Sequence, residues 1–206
     1  MHSTSTLAPA AKPPAASAMH SVWKTSILFT IVTTLLLGLG YPLVVTGIAG
    51  LIFPHQAAGS LILKDGQIIG SELLAQSFTS DKYFHPRPSA AGNGYDATSS
   101  GGSNLAQSSK ALVDRIQGSI DKLAAENPGK PVPIDLVTMS ASGLDPDITP
   151  DAAFFQAPRV AKARNLSEDT VRKLIQQHTT TRQLGLLGEP RVNVLDLNLA
   201  LDKIAK

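Results

Sequence analysis

The residues whose types and spacing could do chemistry begin with Ser100-Gly101-Gly102-Ser103-Asn104, a run that leads straight into an amphipathic pattern. Glycine-rich loops ahead of helices bind phosphate, because the first backbone N–H groups of a helix lack partners and its dipole is positive there. The same composition also makes an ordinary turn. A full phosphate cradle, G-x-x-x-x-G-K-[ST] after a strand, brings a lysine to the phosphates; here no lysine follows the glycines before Lys110. A second candidate, "DPDITPD", gathers Asp145, Asp147 and Asp151. A calcium loop of the EF-hand type needs Gly at its sixth position and Glu at its twelfth, where this stretch offers Pro150 and Gln156. A proline-fixed turn with a helix cap accounts for it. His2, His20, His55, His85 and His178 are scattered, with no H-E-x-x-H spacing, and no G-x-S-x-G elbow occurs. With no cysteine, neither disulfides nor thiolate metal sites are available.

The elements that must position these residues are legible in part. Asp65-Gly66 between two short β-prone runs predicts a two-residue hairpin, because a type I′ turn needs positive φ at both central positions. Residues 82–104 carry no apolar period but include Tyr83, Phe84 and Tyr95. Structureless stretches of this length are functional or disordered, and the aromatics favour an ordered loop. A helix is expected from Leu105 to Ala125, capped by Ser103 or Asn104. "IDLVTMS" is a strand candidate. Thr149-Pro150-Asp151 starts another helix, which Pro158 should kink or split. Ser167 opens a further helix, "RVNVL" reads as a strand, and Leu197 to Ile204 as a closing helix. One hairpin, separate strands and several helices predict an α+β domain.

Charge divides the chain. No charged residue lies between Lys24 and Lys64, and Ile27 to Phe53 is almost wholly apolar. A helix of roughly 20 apolar residues crosses a hydrocarbon core about 30 Å thick, so this segment predicts a transmembrane span. A cleaved signal peptide would have a shorter apolar region and a small-residue cleavage site after it. The expected organisation is a disordered tail at 1–22, a transmembrane helix at 23–50, a linker at 51–58 and an extracytoplasmic domain of mixed α/β content at 59–206. Lys12 and Lys24 are the only charges before residue 64, which favours a cytoplasmic N-terminus and an external domain. The domain is formally neutral, offering no case for nucleic acid. Within the span Thr30, Thr34, Gly38, Pro42, Thr46 and Gly50 recur at intervals of four. Small residues so spaced admit a partner helix, although a step of four drifts by about 40° around an α-helix, so that three neighbours but not six share a face.

Seven blocks in order carry a family resemblance: "YPLVVTG" (Tyr41 to Gly47), "GSLI" with "IIGS" (Gly59 to Ser71), "YFHPRPSA" (Tyr83 to Ala90), "YDATSSGGSNL" (Tyr95 to Leu105), "SGLDPDI" (Ser142 to Ile148), "QAPRVAKARN" (Gln156 to Asn165) and "LGEPRVNVLDLNLAL" (Leu187 to Leu201). Together they resemble the C subunit of the bacterial Kdp potassium-transporting ATPase. The family more often has Gly where this chain has Ala106. The resemblance implies a single-pass protein of the bacterial cell membrane, and a non-catalytic subunit of an ATP-driven potassium importer. Its implied partners are a channel-like potassium-translocating subunit, a P-type ATPase subunit and membrane lipid. The chain has neither D-K-T-G-T nor T-V-G-Y-G, so it is neither of those subunits. Potassium would be the transported ion. The family is described as a catalytic chaperone that raises the ATP affinity of the ATPase subunit, and this implies ATP contact at Ser100, Gly101, Gly102, Ser103 and Asn104.

An external domain conflicts with contact to cytoplasmic ATP. The orientation argument therefore favours assembly and stabilisation, with Thr34, Gly38 and Pro42 against membrane partners and Tyr83, Phe84, Arg87 and Tyr95 docking on an external surface. The alternative is a stand-alone anchored enzyme or binding module.

Overall fold

The computed structural model describes residues 16–204, which divide into two compact units at Ala58/Gly59. Of the tail expected to be disordered, residues 1–15 lie outside the described part, and 16–22 are already helical. The first unit is helical: α1 (Ala16–Thr33), a π-helical segment (Thr34–Gly40), α2 (Tyr41–Ile52) and the short α3 (Pro54–Ala57). Residues Ser21–Ile52 are long and apolar enough to cross a membrane, and none of their most apolar stretch is buried among the described residues. Thr33 turns its hydroxyl back to the Phe29 carbonyl at 2.7 Å, which hides its polar group in the helix. The π segment has a local cause. Pro42 has no N–H to give the Gly38 carbonyl, and its ring crowds that carbonyl. The helix widens upstream instead, and the Tyr41 N–H reaches the Leu36 carbonyl five residues back.

The second unit opens with the expected hairpin, β1 (Leu61–Lys64) against β2 (Gln67–Ser71), antiparallel, with Lys64 opposite Gln67. Asp65 and Gly66 both have positive φ, +52° and +78°, the conformation a primed turn demands. Residues 72–109 then run without regular structure to α4 (Lys110–Glu126). A three-stranded antiparallel sheet follows, in spatial order β3 (Asp147–Ile148), β5 (Arg191–Asn193), β4 (Thr179–Thr180). Around it pack α5 (Pro150–Arg164), α6 (Glu168–Gln177) and α7 (Val194–Ile204). The core joins Ile148, Ala152, Val160, Val171, Ile175, Val192, Leu197 and Leu201 with Phe84 from the long loop. The domain is α+β, with one long apolar helix before it.

Local chemistry sets the ends of these helices. The Thr149 hydroxyl accepts the Ala152 N–H at 3.2 Å and the Ser167 hydroxyl accepts the Thr170 N–H at 3.2 Å, so both N-caps are side-chain caps. Asn165 closes α5 in the left-handed region, with the Leu166 N–H on the Ala161 carbonyl. Asn193 caps α7 by accepting the Asp196 N–H, so that helix begins at Val194, directly after β5, and not at Leu197.

Three expectations are corrected. The helix expected from Leu105 begins at Lys110: Asn104 has φ +51°, which does not enter a helix, and Ala106 to Ser109 close a separate turn. Pro158 does not split α5. Ala157, Val160 and Ala161 are buried around it, and that burial outweighs the cost, about 3 kcal/mol, of a proline inside a helix. "IDLVTMS" forms a 3-10 turn at Ile134–Leu136 and not a strand. Pro131 and Pro133 just before it cannot donate to a sheet.

Candidate functional site

The long loop is tied to the domain at many points along its backbone. Phe84, with no exposed surface, sits in the core, and its backbone is gripped by a buried amide. The Asn198 side chain accepts the Phe84 N–H at 2.8 Å and donates to the Phe84 carbonyl at 3.0 Å. One residue on, the Gln156 side chain repeats the pattern, accepting the His85 N–H at 2.8 Å and donating to the His85 carbonyl at 3.1 Å. Asn198 is 1 % exposed and Gln156 4 %. Two helices, α7 and α5, thus present to two consecutive loop residues the donor and acceptor that a neighbouring strand would supply. A buried N–H needs an acceptor and a buried carbonyl a donor, which fixes how each amide is turned.

Arginines tie down the rest of the loop. Arg159 donates to the carbonyls of Asp81 (2.9 Å) and Tyr83 (3.1 Å) and to the Gln156 amide oxygen (2.7 Å). Burial pushes its pKa down, against the nearby Glu126 and Asp81. Arg164 donates to the Lys82 carbonyl at 2.6 Å and to Asp202 at 2.8 Å, and its guanidinium lies 4.7 Å from the centre of the Tyr83 ring. The Tyr83 hydroxyl reaches the same Asp202 at 3.2 Å. His85 donates from Nε2 to the Ser80 carbonyl at 3.1 Å. Burial, and after it the Arg159 charge, hold its pKa below the ordinary value.

Arg87 pairs with Asp145 at 3.0 Å and also reaches the Met139 carbonyl. Tyr95 donates from its hydroxyl to the Arg87 carbonyl at 2.9 Å, and burial raises its pKa. Of the residues expected to dock on a partner, Phe84 is therefore corrected outright, because it fills the core. Tyr83, Arg87 and Tyr95 are half-buried and spend their polar groups inside the domain. The hydrophobic effect accounts for this: an aromatic in an ordered loop has core to fill before it has a surface to offer. Thr34, Gly38 and Pro42 are exposed on the first unit's helix, with Thr34 and Gly38 inside the π segment.

The serine-glycine run is braced against a second loop, Ser140 to Gly143. The Gly101 N–H and the Ser100 hydroxyl both donate to the Ser142 carbonyl, each at 2.9 Å. Gly102 packs so closely on Ala141 that a Cβ would stand 3.0 Å from its carbonyl oxygen. Ser103 and Asn104 follow, well before α4 begins at Lys110. The local argument for a phosphate cradle, a helix N-terminus just past the glycines, does not hold here. Asp145 and Asp147 are likewise structural. Asp145 accepts the Asp147 N–H at 3.1 Å, and Asp147 pairs with Arg191 at 2.9 Å. Burial nonetheless raises the Asp147 pKa, outweighing the arginine. Among the described residues no three His, Cys, Asp or Glu come together to hold a metal ion.

Known proteins match this chain over most of its length. The family model described as KdpC, K+-transporting ATPase, c chain, matches residues 23–203. The chain belongs to the KdpC family. A potassium-transporting ATPase KdpC subunit of Acidobacterium capsulatum is 61 % identical over 182 residues, covering 88 % of this chain and 97 % of that protein. One from Rhodopseudomonas palustris is 58 % identical over 191 residues (87 % and 96 %), and one from Bradyrhizobium diazoefficiens 57 % over 194 residues (88 % and 96 %). As a KdpC subunit the chain is part of a potassium-transporting ATPase complex, and its one candidate span among the described residues fits a single-pass, membrane-anchored subunit.

Reasoning on the sequence missed Gln156 and Asn198. The signal was present: both are polar residues at positions where α5 and α7 turn otherwise apolar residues inward, and a polar residue on a core face needs a buried partner.

Proposed function

We propose that this KdpC-family chain is a non-catalytic subunit that supports assembly and stability of the channel-like potassium-translocating subunit and the P-type ATPase subunit. The span inserts with the N-terminus in the cytoplasm, and residues 59–206 form an external domain. The observation that carries this reading is the helix Ser21–Ile52, whose apolar side chains the described residues leave uncovered; lipid and neighbouring helices must cover them. The domain contributes a rigid body, its long loop fixed by Asn198, Gln156, Arg159 and Arg164. A rise in the ATP affinity of the ATPase subunit, which the family resemblance implies, would then pass through subunit contacts and not through Ser100–Asn104.

Because the chain has no cysteine, topology can be read with single cysteines at Ser21→Cys and Ser103→Cys in intact cells. A membrane-impermeant maleimide is expected to label position 103 and not 21, while the chain copurifies with the larger subunits. Labelling at 21 alone overturns the orientation. Recovery as an active monomer, without larger subunits, overturns the assembly role in favour of a stand-alone module.

A further inference from the structure

Between β4 and β5 the chain carries Gln183-Leu184-Gly185-Leu186-Leu187-Gly188, and its three leucines point into solvent, at 95 %, 76 % and 56 % exposure. This is no slack loop. The Gln183 N–H donates to the Leu187 carbonyl at 2.8 Å, the Leu187 N–H returns to Gln183 at 2.9 Å, and the Gly185 N–H closes on Arg182 at 3.2 Å. Leu184 has φ +54°, a left-handed conformation that glycine and asparagine adopt at less cost. A strained backbone that displays a large apolar side chain to water has no folding benefit to offset it.

We propose that this leucine tip is the surface by which the domain docks on another subunit of the complex, entering an uncharged apolar cavity there. The inference rests on the assembly role proposed above. The occupant is argued from charge. The tip bears none from Gln183 to Gly188, and the arginines that flank it are spoken for, Arg182 by Glu189 and Arg191 by Asp147. An anionic lipid surface is recognised by free Lys and Arg, which this tip does not offer. A rigid, preformed apolar knob matches a preformed cavity, because little freedom is lost on docking.

The test places a single cysteine, Leu184→Cys, in the otherwise cysteine-free chain and follows maleimide labelling. In the assembled complex labelling should slow roughly tenfold or more relative to the full chain alone in detergent, since a thiol seated in a cavity reacts only when the docked tip opens, and tenfold protection needs docking favoured by only about 1.4 kcal/mol. Equal rates in a complex that has formed overturn the docking. So does the same slowing when the chain alone is reconstituted in phosphatidylcholine vesicles, which would make lipid the occupant. In parallel, Leu184→Asn with Leu186→Ser and Leu187→Ser should leave the denaturation midpoint of the chain unchanged or higher, yet lower its recovery with the larger subunits. Full recovery also overturns the proposal. If the unaltered chain never copurifies with larger subunits, the assembly role itself falls and the docking with it. Copurification of the unaltered chain with unslowed labelling at 184 removes the docking alone.

Discussion

Replacing Asn198 by leucine keeps the heavy-atom count and branching of a buried side chain, at a somewhat larger volume, while deleting both of its hydrogen bonds to Phe84, of 2.8 and 3.0 Å. The Phe84 N–H and carbonyl then stay buried without partners. Each orphaned group costs about 1–3 kcal/mol, so the variant should lose about 2–6 kcal/mol. Against the roughly 5–15 kcal/mol that holds a typical domain folded, this is a large share. The loss is bounded by local opening: once lifting the loop costs less than keeping it unsatisfied, water reaches Phe84 and the domain stays folded without it. Two assays on the full chain in detergent separate these regimes. Urea denaturation followed by near-ultraviolet circular dichroism reads the global loss, and amide hydrogen exchange at Phe84 and His85 reads the opening. Asn198→Asp adds a signature that packing alone does not give. Its carboxylate can accept from the Phe84 N–H but cannot donate to the carbonyl, and burial raises its folded pKa above the usual value near 3.9. The folded state therefore takes up the proton first as pH falls, and the deficit of this variant should shrink on acidification. A loss below about 0.5 kcal/mol for Asn198→Leu, with Phe84 exchange unchanged, would refute the view that the amide holds the loop.

Two further outcomes follow from the same packing. Burial and Arg159 hold the His85 pKa below 6.5. In the window from 6.5 down to the folded value the unfolded chain binds a proton that the folded chain refuses, so stability should drop as the pH is lowered through that window and stay level above it. Asp147 and Asp196, raised by burial, act in the opposite sense at lower pH, and the difference between the unaltered chain and His85→Gln isolates the histidine. Gly143 has φ +68°, and a Cβ there would meet the Ala91 nitrogen and the Gly101 carbonyl oxygen at 2.7 Å. Gly143→Ala should thus cost about 2–4 kcal/mol from backbone strain and overpacking together, and speed proteolysis near Ser100. A midpoint equal to that of the unaltered chain would count against this close approach.

Much of the architecture was legible because its signals are local. The Asp65-Gly66 turn, the Thr149 and Ser167 caps and the uncharged apolar run each need only neighbouring residues to be recognised. The elements that misled are those decided by distant ones. Pro158 looks like a break until Ala157 and Val160 are seen buried around it, and Phe84 looks like a docking aromatic until Asn198, far along the chain, is seen holding its backbone in the core. The serine-glycine run is likewise held from afar, since Ser142, which takes its Gly101 donor, lies on another loop. The leucine tip was invisible for the converse reason: exposure is a property of the folded surface, and a leucine in sequence looks the same inside or out.

The π-helical turn that Pro42 forces changes the geometry of the small residues along the span. In an α-helix a step of four overshoots a full turn by about 40°, so Thr30, Thr34, Gly38, Pro42, Thr46 and Gly50 should wind steadily around the axis. A ring closed five residues back, as from Tyr41 to Leu36, holds more than four residues per turn, and there the same step falls short. The undershoot between Thr34 and Gly38 runs against the overshoot on either side, and the six small side chains stay within a narrower sector than a straight helix allows. One imino acid thereby turns a spiral of small residues into something close to a seam.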